Sequence, residues 1–355
     1  MTHISTPGKN ILVAPLNWGL GHATRCIPII NALLKNNYNP IIASDGIALD
    51  LLRKEFPQLQ TIELASYQIE YPKNGKNFKL KMLANSPKMV KAILTEKNQV
   101  RKIIKEHSIE GIISDNRLGV RSSKVPSVFI THQLKVMTGN TTWLSTKLHS
   151  YVIKKFDECW VPDVNSIPNL SGKLGHLDRE EKNIRYIGPL SRLKKKNFEN
   201  KYDLMVIISG PEPQRTLLEE KLITELSLYQ GNVLFIKGKI EPEQIVEKTE
   251  QFTFYNYMNS EQLEVAFNES KIILCRSGYT TIMDLAYLEK KAFFIPTPGQ
   301  YEQEYLAKKF KNEGLAPSCK QDKFKLSKLD KLGLYRGFSN IETTVKWKEL
   351  FEIFK

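Results

Sequence analysis

No apolar run in this 355-residue chain approaches the ~20 residues that a membrane span requires. The opening residues, MTHISTPGKN, lack the apolar middle of a signal peptide. The expectation is a cytoplasmic protein. Cysteine is scarce: Cys26, Cys159, Cys275 and Cys319 form no C-x-x-C pair and have no histidine at ligand spacing, so neither a disulfide framework nor a zinc site is expected. No Asp-x-Asp occurs, which removes the usual motif for clamping a divalent metal onto a diphosphate. There is no internal repeat, no low-complexity tract and no recognised nucleic-acid reader motif, so nucleic acid is not an expected partner. Acidic residues are also in deficit. Against 52 Lys and Arg stand 38 Asp and Glu, giving a net charge of +14, which favours an anionic ligand or surface.

At 355 residues the chain is long for one α/β domain and fits two, with 41% hydrophobic residues to fill their cores. Apolar runs of strand length at 10–16, 40–44, 61–64, 111–114, 127–131 and 159–161 alternate with helical patterns at 21–35, up to 55, at 78–107 and at 143–156. That alternation predicts a mostly parallel, doubly wound α/β sheet. A second α/β unit opens at 202–209 and continues through 233–236. The connection between them, 187–201, begins after the break at Gly188-Pro189 and is charged and weakly periodic. The expected division is an N-terminal domain at 1–186, the connection, a second domain at 202–335, and a tail at 336–355. Within the tail, an amphipathic helix at 341–354 is expected to pack back on the first domain.

Charge is concentrated at 73–105, where ten Lys and Arg face one acid, Glu96, with apolar residues interleaved. A basic amphipathic surface of this kind can lie on anionic lipid; a solvated helix face reads the same way.

Residues 271–307, KIILCRSGYTTIMDLAYLEKKAFFIPTPGQYEQEYLA, run strand, turn, helix, strand, polar loop, helix. The Arg276-Ser277-Gly278 turn opens a helix, which aims N–H groups and the positive helix end at an anion, usually phosphate. Asp284 falls in the second turn, where a carboxylate can reach a ribose, and the later loop delivers Gln303-Glu304. Near the N-terminus the first strand ends in NWGLGHATR. Gly19 and Gly21 permit a sharp strand-to-helix turn. The third glycine of a dinucleotide fingerprint is missing, with Thr24 in its place, although Asp45 lies at the spacing that would hold a ribose and keeps an NAD reading open. His22 stands on the rim of the same turn, where a neutral imidazole could take a proton. Asp115 ends a parallel strand, so a His22–Asp115 hydrogen bond is expected. His132 ends another strand and is a candidate acceptor contact or a structural histidine.

The 271–307 stretch resembles the donor-binding segment of the family 28, MurG-like glycosyltransferases through Arg276-Ser277-Gly278, Thr281, Asp284 and Gln303-Glu304. Asp284 and Glu304 stand where that family usually has Glu and Gln. GLGHATR resembles the G-x-G-H turn of the same family and of one group of nucleotide-sugar hydrolases. The resemblance implies a GT-B fold, two Rossmann-like domains facing across a cleft, with the acceptor side in the first domain and the donor side in the second. It further implies an inverting, metal-independent transfer of a hexose or N-acetylhexosamine from a UDP-sugar, with no cofactor, to a hydroxyl acceptor. The MurG-type member uses a lipid-linked one and would place the protein on the inner membrane face. His22 and Asp115 would act as the catalytic pair. Ser209, Gly210 and Arg215 would meet the pyrophosphate, and the aromatic stretch 254–258 would lie beside the base or in the core. Alternatives on the same residues are a nucleotide-sugar hydrolase or epimerase, and a non-catalytic basic binding protein.

Overall fold

A computed structural model describes residues 8–67, 78–137, 142–177, 181–239, 241–339 and 341–355. The side chains of 78–89 lie outside the described part, so the basic stretch is described only from residue 90 onward. Among the described residues there are two sheets.

The first sheet is built from β1 (Asn10–Pro15), β2 (Asn39–Ser44), β3 (Thr61–Glu63), β4 (Ile109–Asp115), β5 (Ser127–Ile130), β6 (Glu158–Val161) and β7 (Ile184–Tyr186), in the order β3-β2-β1-β4-β5-β6-β7, all parallel. Parallel strands are covered on both faces, and β1 shows the consequence. Ile11 and Val13 point to α1 (Leu20–Lys35) and α2 (Gly46–Glu55). Leu12 and Ala14 point to α3 (Phe78–Glu106), where Val100 and Ile103 meet them. On that second face, α4 (Thr142–Ile153) packs Ile153 against Phe129 and Cys159.

The second sheet has the order β10-β11-β9-β8-β12-β13, from β8 (Tyr202–Ile207), β9 (Val233–Ile236), β10 (Val246–Lys248), β11 (Phe252–Tyr255), β12 (Ser270–Cys275) and β13 (Lys291–Phe294). It is parallel apart from the β10–β11 edge. Leu204 and Val206 pack on Leu218, Leu222 and Leu226 of α5 (Gln214–Leu226). The other face carries α6 (Ser260–Asn268), closed by an Asn259–Gln262 capping box, and α7 (Tyr279–Tyr287). The helix α8 (Tyr301–Asn312) follows β13.

The connection 187–201 is buried at its start, through Ile187, Leu190 and Leu193, and exposed from 194 to 201. One feature differs from expectation. The tail is helical only at α9 (Trp347–Leu350) and in a 3-10 turn at Phe351–Phe354, while 341–346 has no regular structure. The run Thr343-Thr344-Val345 is β-branched and disfavours helix. It is also pressed onto the connection, where a Cβ on Gly188 would lie 2.9 Å from the Thr344 carbonyl. The tail packs back on the first domain, with the Phe351 ring 5.6 Å from Tyr38 and 6.4 Å from Trp160 of β6.

Candidate functional site

Each sheet reverses its winding at one central strand pair, β1/β4 in the first and β8/β12 in the second. Crevices at such switch points, outside the carboxyl ends of the strands, are where ligands bind. The turn after β1 leads into His22, and Asp115 closes β4 opposite Pro15. Gly19 has φ +74°, which side-chain-bearing residues rarely adopt. Gly21 meets the second domain: a Cβ there would fall 2.8 Å from Thr280 Oγ1, which itself donates to the Gly21 carbonyl at 3.3 Å. The N-termini of α1 and α7 thus approach one another. Neither has a side-chain cap or an acid in its first turn, so both present unneutralised positive helix ends to the cleft.

Around His22 lies a cluster of charged groups. His22 Nδ1 is 2.7 Å from Asp115 Oδ1. Arg25, three residues on along α1, grips both oxygens of Asp115 through Nε and Nη2. Its Nη1 lies 3.1 Å from His132 Nδ1, and Nη2 lies 2.8 Å from His22 Nδ1. His132 Nε2 reaches Glu302 Oε1 of α8 at 2.9 Å, and Gln133 Nε2 donates to the other Glu302 oxygen. The His132 ring stacks on Tyr279 at 4.2 Å, and the Tyr279 hydroxyl donates to the Pro162 carbonyl at 2.9 Å. Burial alone would raise the Asp115 carboxyl, but the charge of Arg25 and the contact with His22 outweigh it and hold the group down at about 2. For His22, burial and then the Arg25 charge depress the pKa below 6.5, against the pull of Asp115. Burial would likewise raise Glu302, but His132 and Arg25 bring it below its usual value. The result is a neutral imidazole backed by an ionised carboxylate, an arrangement that can accept a proton.

On the other side of the cleft, Ser277 Oγ donates to the Gln303 carbonyl at 2.7 Å, tying the turn before α7 to α8. Gly210, after β8, is exposed beside Ser209, and Thr281 is half-buried near the start of α7.

Residues 212–346 match the glycosyltransferase family 28 C-terminal domain. The chain is 27% identical over 270 residues, 70% of its length and 69% of the relative's, to a UDP-N-acetylglucosamine–N-acetylmuramyl-(pentapeptide) pyrophosphoryl-undecaprenol N-acetylglucosamine transferase of Buchnera aphidicola subsp. Schizaphis graminum. The second domain therefore carries the family 28 glycosyltransferase C-terminal domain. An uncharacterized glycosyltransferase of Methanosarcina acetivorans is 23% identical over 81% of this chain and 77% of its own. The fold is shared with MurG of Acinetobacter baumannii (TM-score 0.59, 14% identity, 98% of this chain and 99% of that one). It is shared also with spinosyn rhamnosyltransferase (TM-score 0.64, 12% identity, 93% of each). The fold is therefore GT-B, two parallel-sheet domains.

Several residues of this glycosyltransferase sit differently from what the sequence suggested. The Arg215 guanidinium is engaged within its own domain. Its Nε donates to Glu212 at 2.6 Å, Nη1 to Glu219 at 2.6 Å and to the Lys237 carbonyl, and Nη2 to Thr216. Arg276 is buried and braces the turn from beneath, donating to the carbonyls of Ile295, Pro296 and Gln214. Burial lowers it to about 10, so it remains charged at neutral pH. Asp284 turns to the interdomain connection and accepts from Ser191 Oγ at 2.6 Å. Burial raises its carboxyl to about 6, partly opposed by Ser191 and by the charge of Arg192. The Gln303 side-chain amide oxygen accepts from Thr297 N–H at 2.8 Å and the Glu304 carboxylate from Gly299 N–H at 3.0 Å, shaping their own loop. His132 has both ring nitrogens engaged, with Arg25 and Glu302, which leaves it no free nitrogen for an acceptor. Asp45, the residue behind the NAD reading, is buried and paired with Arg117 and Asn17. Phe254 packs on Phe235, while Tyr257 and Met258 are half-buried.

Sequence reading missed Arg25, Glu302 and Tyr279. Arg25 was one signal away: it stands at i+3 from His22, on the same helix face.

Proposed function

We propose that this glycosyltransferase moves a sugar from a UDP-sugar to an acceptor hydroxyl in one inverting, metal-independent displacement. His22 takes the acceptor proton, Asp115 orients His22, and the acceptor oxygen attacks the anomeric carbon as the diphosphate leaves toward Ser277-Gly278 and the α7 N-terminus. Oriented N–H groups and the helix dipole stabilise the developing charge. Asp284 exchanges Ser191 for a ribose hydroxyl, with Gln303 beside it. The observation that carries this reading is the buried Asp115–His22 pair facing the uncapped start of α7 across the Gly21–Thr280 approach.

Calorimetric titration with UDP, GDP, dTDP and NAD tests the donor. Selective UDP binding is expected; a preference for GDP or dTDP changes the donor, and NAD binding alone removes the transferase reading. Asp284→Ala should weaken UDP binding by about 1–3 kcal/mol. With its carboxyl at about 6, wild-type affinity should also decline as pH falls below that value, because the protonated group no longer accepts two ribose hydrogen bonds. Unaltered affinity in the variant takes Asp284 out of the ribose site. Free sugar released at the full rate without any acceptor would favour a hydrolase.

We propose further that the acceptor is met at an anionic membrane surface. Among the described residues no helix is long and apolar enough to cross a membrane. Val90 and Leu94 of α3 are nonetheless more than half exposed, among exposed Lys91, Lys97 and Arg101. Trp143, Leu148 and Tyr151 of α4 are exposed on the same side of the sheet. Co-sedimentation with anionic vesicles at low salt, and not with neutral ones, is the expected result. Equal binding to both, or to neither, discards this surface.

A further inference from the structure

We infer that Arg25 is the positioning residue of this site: its guanidinium fixes Asp115 edge-on to His22 and, through His132, ties that pair to Glu302 of the opposite domain. The inference rests on the reading of His22 as the base and deepens it.

A guanidinium presents donors in a rigid plane and has no acceptor. Two of its nitrogens hold the two oxygens of Asp115, the fork geometry that fixes a carboxylate most firmly. The third, Nη1, lies 3.1 Å from His132 Nδ1. Because Arg25 can only donate, His132 Nδ1 must accept and carries no proton. The proton of a neutral His132 then sits on Nε2 and is donated to Glu302 Oε1 at 2.9 Å.

His22 is held in the opposite sense. Its Nδ1 lies 2.7 Å from Asp115 Oδ1 and 2.8 Å from Arg25 Nη2. An unprotonated Nδ1 would set its lone pair against the carboxylate oxygen. A protonated Nδ1 donates to that oxygen and leaves Nε2 with the lone pair that a base needs. Nη2 spends an N–H on Oδ1, and its approach to His22 Nδ1 is then that of two donors converging on the same oxygen, so Arg25 immobilises the oxygen to which His22 donates. Two histidines on one arginine thus take opposite tautomers. Lysine at 25 could supply the charge but not the three-way plane.

The groups facing His22 are Arg25 on its own helix, Asp115 from β4, His132 from the end of β5 and Glu302 from α8. The Cys26 thiol lies 3.8 Å from Asp115 Oδ2, and α7 presents the uncharged Tyr279 and Thr280. Arg25 and Asp115 are the charged pair in direct contact with His22.

Long-range proton–nitrogen correlation spectra of the full chain labelled with 15N-histidine read the tautomers directly. The six histidines give a simple spectrum, and His22→Gln assigns the His22 signal. The expected result is protonated Nδ1 on His22 and protonated Nε2 on His132. Arg25→Lys should release the His132 tautomer and lower turnover by about 10- to 100-fold with UDP affinity retained. Arg25→Gln should move the His22 titration midpoint upward, since a positive neighbour is lost. Protonated Nε2 on His22 or protonated Nδ1 on His132 in the wild-type protein overturns the inference, and so does an Arg25→Lys protein with wild-type tautomers and turnover. If neither variant folds, the wild-type spectrum still decides. The base reading fails separately: it falls if His22→Ala keeps its turnover while the two tautomers stand as expected.

Discussion

His22→Ala is expected to lower turnover by about 100-fold or more while UDP affinity stays at its wild-type value. Affinity should hold because His22 belongs to the first domain, and the residues proposed to hold the nucleotide belong to the second. Turnover should fall because no other group nearby can take its place: Asp115 is enclosed by Arg25, and His132 spends both nitrogens on Arg25 and Glu302. The pH dependence has a definite sign. Burial and the Arg25 charge hold the imidazole below 6.5, so it is neutral at pH 7. The ratio kcat/KM should be level through neutral pH and fall only on the acid side of 6.5, as protons occupy the base. Asp115→Asn should lose turnover in parallel, since an amide can turn its NH₂ toward Nδ1 and reverse the tautomer. UDP release from the preferred donor, followed with acceptor present, measures both. Undiminished turnover in His22→Ala removes the residue from the base role, and an acid limb above 6.5 assigns that limb to another group.

The strands were legible in the sequence because apolar runs such as ILVA and IILC are short and end at glycine turns. In a parallel fold the residue after such a run lies at a carboxyl end, and that placed His22 and Asp115 on one rim before any contact was known. What could not be read was the direction of each polar side chain. Arg276 lies in a turn of the type that meets phosphate, yet its donors fold beneath onto three carbonyls, a preference set by backbone geometry that leaves no mark on residue identity. Arg215 is readable in part: Glu219 stands at i+4, the spacing at which a helix pairs charges, and it claims Arg215 together with Glu212 from just before the helix. Glu302 was hidden because its partner, His132, is 170 residues away in the other domain. Pattern within one segment says nothing about what a neighbouring domain brings to it. The tail failed for a related reason: its apolar spacing suited a helix, but Phe351 and Phe354 are placed by Tyr38 and Trp160.

Arg117→Leu should destabilise the protein by about 3–5 kcal/mol, the range for removing one partner from a buried ion pair. Arg117 is fully buried at the floor of the first domain. Its Nη1 donates to Glu96 at 2.9 Å, Nη2 to Asp45, and Nε to the Pro15 carbonyl at 3.1 Å. Leucine fills part of the volume but leaves two carboxylates facing each other out of water. Glu96 already shows the strain: burial raises it to about 7, despite Arg117, a hydrogen bond from Tyr67 and one from the Gly119 N–H. That shift fixes a pH signature. A carboxyl whose folded pKa exceeds its unfolded value favours the folded state when protonated, so its contribution is fully present below about 4.5 and is lost as pH rises to about 7. Without Arg117 the loss should be steeper, because ionised Glu96 then has no counter-charge. Denaturant titrations at pH 5 and pH 8 would show it as a wider gap between the two conditions in Arg117→Leu than in the wild-type chain. Adding Asp45→Asn and Glu96→Gln to Arg117→Leu should recover much of the deficit, since it is the unpaired charge and not the missing guanidinium that costs stability. A loss below about 1 kcal/mol in the single variant, the value of an exposed pair, would mean that water reaches this network and that it does not anchor the turn preceding His22.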